Sequence, residues 1–250
     1  MTRILAWHWV REDRRLGYGD GREVRAGETI EHKGHIALCE SGLHASTKIL
    51  DALTYAPGPV ICRVRLSGDV LRGGDKIVAE RRETLWMVDA RRVLIVWACE
   101  CAWDALQQVG NPDPRSVAAI HEVMRQQRSG ECVQAKLDAA SAAAWAAASA
   151  AYAASAAYAA YAASAARAAA AYAASAAYAA YAASAASVAL AASHAGATAT
   201  AAPATSLMRV TWAAQSKRLR RLIGLERRGQ LDAEIARLCE AWGVAEKGGE

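Results

Sequence analysis

The chain has 250 residues and a formal net charge of +5, and it is 54% hydrophobic yet only 6% aromatic, with no phenylalanine. Alanine makes up the difference: residues 139–193 hold 37 alanines in 55 positions with Arg167 as the one charge, too little side-chain surface for an ordinary core. The flanking residues have globular composition, which excludes a wholly disordered, collagen-like or disulfide-scaffold protein.

In chain order, Arg3 to Val10 reads as a first strand, and a turn-rich stretch with Gly17, Gly19, Gly21 and Gly27 follows. Ile36 to Cys39 reads as a short strand interrupted by Ser41-Gly42. Ser46 and Thr47 are placed to cap a helix from Lys48 to Tyr55, which Pro57-Gly58-Pro59 ends. Val60 to Leu66 alternates as a half-buried strand, Gly68 and Gly73-Gly74 mark turns, and Glu80 to Glu83 reads as a charged turn before Thr84 to Val88. Arg92 to Ala98 fits either strand or helix. The sum is an α+β head domain over residues 1–110, with 16 basic against 15 acidic residues and so no electrostatic footprint for nucleic acid.

Pro112 and Pro114 open a linker, 111–138, that contains a charged helix from Ser116 to Arg128. The Ala/Tyr/Ser-rich repeat, 139–195, states YAASAAYAAYAASAAR at Tyr152–Arg167 and nearly restates it at Tyr172–Ser187. Alanine propensity predicts long helices whose tyrosines point in several directions, hence homo-oligomerisation; a β-solenoid built on the underlying triplet is the alternative. A loop at 196–206 leads to a C-terminal amphipathic helical hairpin, 207–250. Met208, Trp212, Leu219, Leu222 and Ile223 line its first helix and Leu231, Ile235, Leu238 and Trp242 its second, with Gly229 between. Seven basic residues lie between Arg209 and Arg228 against Glu226 alone. The apolar face predicts docking on protein with Arg218 and Arg221 turned to solvent, and no tight nucleic-acid binding.

Six scattered cysteines and the absence of a signal-peptide pattern in MTRILAWHWVRED predict a reduced, cytoplasmic protein with no membrane partner. Chemistry concentrates in EHKGHIALCESGLHAST, Glu31 to Thr47. His32, His35, Cys39 and His44 have zinc-ligand chemistry, but their spacing matches no common closed site, so no metal and no other cofactor is expected. Cys39 and His44 read instead as supports of the fold, and no phosphate-binding glycine loop and no nucleophile elbow is present.

Cys39-Glu40-Ser41-Gly42-Leu43-His44-Ala45, followed by Asp51-Ala52-Leu53, the strand Val64 to Val70 and Asp75-Lys76, resembles an uncharacterised family of bacteriophage and prophage proteins that join such a domain to a low-complexity repeat. The motif residues are Cys39, Glu40, Gly42, His44, Ala45, Asp75 and Lys76. The resemblance implies a viral or prophage interaction or structural protein, with a host protein as a possible partner. A second resemblance, to ADP-ribosyltransferases of the Arg-Ser-Glu type, rests on Ala45-Ser46-Thr47 before a helix, the strand Val60 to Leu66, and Glu80 to Glu83 before a further strand. It implies, as the alternative, an NAD-binding enzyme with Glu83 as the carboxylate, Ser46 or His44 orienting the substrate and Arg3 on the pyrophosphate. Here the glutamates are spaced E-x-x-E where that family has E-x-E.

Overall fold

The structure, a computed structural model, describes residues 3–17, 19–107, 114–130 and 201–245. The expectations for the Ala-rich repeat, helix, solenoid and self-association alike, lie outside the described residues. The chain divides into two compact units, the first ending at Arg91 and the second holding the helices from Arg92 on.

The first unit contains β1 (Ile4–Val10), β2 (Thr29–Glu31), β3 (Leu43–Ala45), α1 (Ile49–Thr54), β4 (Val60–Arg72) and β5 (Ile77–Asp89). β4 and β5 form a long antiparallel hairpin turning at Gly73-Gly74, with β1 on the outer edge of β4 and β2 and β3 end to end along β5. Just past β3, Ser46 exchanges both backbone hydrogen bonds with Trp7 of β1, at 2.7 and 2.9 Å. A hydrogen-bonded circuit β1–β4–β5–β3–β1 therefore closes on itself. Two register shifts in the β4–β5 ladder, between Arg63 and Val64 and between Ser67 and Val70, supply the bend that closure needs.

Strand alternation sends Ile4, Ala6 and Val10, Val60, Cys62, Val64 and Leu66, and Ile77 and Ala79 to one side, where Leu43, Ala45, Val24 and Ile30 join them in a single buried cluster. α1 packs on β1.

Several boundaries differ from the sequence reading. Gly68 marks a bulge within β4, at φ 80°, where a β-carbon would run into the Glu80 carboxylate. Glu80 to Glu83 lie in the middle of β5, because the hairpin pairs through them. Ser46 caps nothing: its backbone is spent on Trp7, and α1 starts after Lys48 without a side-chain cap. Residues 36–41 form a turn closed by the Ala37–Ser41 bridge in place of a strand.

The second unit contains α2 (Arg91–Gln107), α3 (Pro114–Ser129), α4 (Ala201–Arg227) and α5 (Leu231–Ala241). The apolar run Val93 to Val96 is thus helical, and residues 201–206 belong to α4, with Pro203 tolerated in its first turn. α5 packs on α3 and on α4. Trp97 donates its indole N–H to the Gln215 carbonyl at 3.1 Å, tying α2 to α4. Trp103 stacks on Trp242 at 5.0 Å and on His121 at 5.4 Å.

Arg218 and Arg221 do not face solvent as bare cations. Arg218 pairs with Asp104 at 2.6 Å and approaches Glu100 at 3.7 Å; Arg221 pairs with Glu100 at 3.0 Å and Glu234 at 2.6 Å. The helix docks through these ions as well as through Leu219, Leu222 and Ile223, all buried. Burial pushes the Glu100 carboxyl up to about 6 against the pull of both arginines, whose charges are shared with Asp104 and Glu234. Hydrogen bonds from Arg237 and then Arg221 hold Glu234 down at about 2. Among the described residues no helix is long and apolar enough to cross a membrane.

Candidate functional site

The motif Cys39 to Ala45 is a turn followed by β3, and His44 holds the two together. Its Nε2 accepts the Cys39 backbone N–H at 3.0 Å, which places the proton of the neutral ring on Nδ1, 3.2 Å from the Gly42 carbonyl. Burial, helped by the charges of Lys76 and Arg82, keeps the imidazole below its ordinary range, so it stays neutral and able to accept. Cys39 takes a left-handed φ of 65° within this turn. Gly42 has φ 104°, and a β-carbon there would lie 2.5 Å from Val78 Cγ2. Ala45 is buried opposite Ile77, whereas Cys39 and Glu40 are exposed.

The second half of the motif, Asp75 and Lys76, sits at the β4–β5 turn and reaches the first half through Tyr55. The Tyr55 hydroxyl donates to Asp75, and this bond lowers the Asp75 carboxyl. Lys76 Nζ lies 3.9 Å from the Tyr55 ring centroid, a cation–π contact, and its charge is favoured by hydrogen bonding to Cys39 and then to Tyr55. Residues some 35 positions apart in the chain thus meet in one surface patch: Cys39, Tyr55, Asp75 and Lys76, backed by His44.

Inside the closed sheet lies a second polar group. Arg82 and Thr84 are two apart on β5, each almost fully buried at 2% and 1% exposure. Arg82 Nη1 donates to the His44 carbonyl at 2.8 Å, bracing the seam beside the Trp7–Ser46 bridge. Among the described residues, Arg82 Nε and Nη2 and the Thr84 hydroxyl have no hydrogen-bond partner. Cys62 is opposite His8 in register; burial raises its thiol to about 12, and burial together with Arg82 keeps His8 well below its ordinary value.

The four residues suggested by the ADP-ribosyltransferase resemblance do not converge. Glu83 is held by Arg65 at 2.7 Å. His44 pairs with Val78, five positions away along β5, or about 16 Å at strand rise. Ser46 is buried in its bridge, and Arg3 is exposed ahead of β1. The histidine–cysteine set also disperses: His32 Nε2 contacts the His35 carbonyl at 3.2 Å while His44 turns to the backbone. Among the described residues no group of three or more His, Cys, Asp or Glu could hold a metal ion.

Sequence reading missed Arg82, Thr84 and His8. The signal was available in Arg82-x-Thr84, a period of two that continues the inward face once Glu80 to Glu83 are read as strand.

A family described as a domain of unknown function (DUF7666) matches residues 5–95, which is nearly the whole first unit. No curated protein and no solved structure matches the chain.

Proposed function

We propose that the chain is an interaction protein of bacteriophage or prophage type: a small closed-sheet head that binds a partner, carried on an Ala-rich oligomerisation element. The observation that carries the reading is the use made of the motif. His44 commits both ring nitrogens to the backbone of a turn, and the turn presents Cys39 beside Tyr55, Asp75 and Lys76. Side chains that fix one another suit recognition, where a preorganised surface limits the entropy lost on binding. The separation of Glu83 from His44 and Ser46 lends no support to the enzyme alternative.

Light scattering on the full chain and on the chain lacking residues 139–195 tests the oligomer: the full chain is expected to associate and the deletion to revert to a monomer. A monomeric full chain at its highest soluble concentration overturns it. For the head, a host protein recovered with the native chain and lost with Lys76→Glu places recognition at the patch; equal recovery with both refutes that placement.

A further inference from the structure

We propose that the interior of the closed sheet is an oxyanion site, in which the unpartnered edge of Arg82 and the Thr84 hydroxyl hold a carboxylate or phosphate group. This goes beyond the surface patch and is independent of it. The inner positions of a small closed sheet are filled by apolar side chains wherever the fold alone decides, and here Val64, Leu66 and Ala79 do so. A guanidinium in their company needs a counter-charge, because burying an unpaired ion is costly.

The described residues supply none. Asp20 is the carboxylate whose charge acts on Arg82, and both of its oxygens are taken by Arg22, at 2.6 and 2.7 Å. Cys62 remains a protonated thiol and His8 an uncharged imidazole. The charges of Arg14 and Arg22 also act on this interior, so the potential there is positive.

The surrounding side chains close these unpaired donors off from solvent and have to part to admit a ligand, and the donors' chemistry narrows what that ligand is. Nη1 is committed to the His44 carbonyl, which leaves Nε–H and Nη2–H, the side-on pair of parallel donors that matches two oxygens of a carboxylate or phosphate. A single carbonyl or a neutral hydroxyl would leave one donor unmet. Thr84 lies one inward position along the same strand, about 7 Å away by backbone, within reach of a third oxygen or of the group's other edge.

The test is thermal unfolding of the full chain in rising sodium phosphate and, separately, sodium acetate, with ionic strength held constant by sodium chloride. A ligand that binds only the folded state raises the melting temperature along a saturable curve. The native chain is expected to do so with at least one of the two anions; phosphate alone identifies a phosphate-bearing ligand, and acetate a carboxylate.

Arg82→Lys keeps a charge and a donor for the His44 carbonyl but lacks the two-donor edge, and is expected to lose the response. Thr84→Val, which removes only the hydroxyl, should weaken the apparent affinity roughly tenfold. Line broadening of the inorganic phosphate signal in phosphorus NMR gives a readout separate from stability. No saturable response in the native chain, or an undiminished response in both variants, overturns the proposal, as expected if buried water satisfies Arg82.

Discussion

Replacing Glu100 by Gln isolates the energetics of the buried ion network in the helical unit. Folding raises this carboxyl from 4.5 to about 6, so the folded state holds the proton more tightly than the unfolded chain does. The stability this contributes is fully present below pH 4.5 and is lost as pH rises through 6. At 1.36 kcal/mol per unit of pKa, the loss amounts to about 2 kcal/mol at neutral pH. Gln is fixed in the neutral form and nearly isosteric, while Arg218 keeps Asp104 and Arg221 keeps Glu234. Glu100→Gln should therefore match the native chain in acid and exceed it by about 2 kcal/mol near pH 8. Urea unfolding followed by far-ultraviolet circular dichroism, repeated from about pH 4 to about pH 8, measures the difference. A gap between the two proteins that does not widen with pH, or a variant less stable throughout, would falsify the view that burial outweighs the two arginines.

His44→Ala should lower the stability of the head by about 1–3 kcal/mol, since it leaves the Cys39 N–H and the Gly42 carbonyl unpaired; an unchanged melting temperature would count against its bracing role. Because His44 and His8 are both held below 6.5, their contribution is present above that value and lost as pH falls through the folded pKa values, so His44→Ala should also blunt the acid sensitivity of the head. Gly42→Ala, with φ 104° and the Val78 contact against it, should cost more than about 2 kcal/mol; a near-neutral effect would show that the turn relaxes. With Arg218 and Arg221 engaged in ion pairs, DNA or RNA should bind the full chain more weakly than about 1 µM near 0.15 M salt, and tighter binding by fluorescence anisotropy, abolished by Lys217→Ala with Arg220→Ala, would contradict this.

Local pattern made much of this fold legible. The alternation from Val60 to Leu66, the stop at Gly73-Gly74, Gly229 between the last helices and the stripe Leu231, Ile235, Leu238 and Trp242 each follow from side-chain period or turn chemistry, and each stands where it was expected. The C-E-x-G-x-H-A segment was legible as a structural motif, although its meeting with Asp75-Lys76 through Tyr55 was not, because that contact depends on the hairpin returning beside α1. Closure was equally hidden. One bridge, Trp7 with Ser46, uses backbone groups that carry no residue signature, and it removed Ser46 from the cap it was assigned. Charge misled at Glu80 to Glu83, since four adjacent polar residues resemble a turn until pairing with β4 shows Arg82 pointing inward.

The helices on either side of the Ala-rich segment belong to one packed unit. α2 and α3 precede it, α4 and α5 follow it, and Trp97 with Gln215 and Arg92 with Asp232 join the two pairs. None of the residues making these contacts lies in the repeat. Folding of this unit therefore has to bring together residues far apart in the chain, 118 positions for Trp97 and Gln215 and 140 for Arg92 and Asp232, which puts these non-local contacts among the slow-forming ones of the fold.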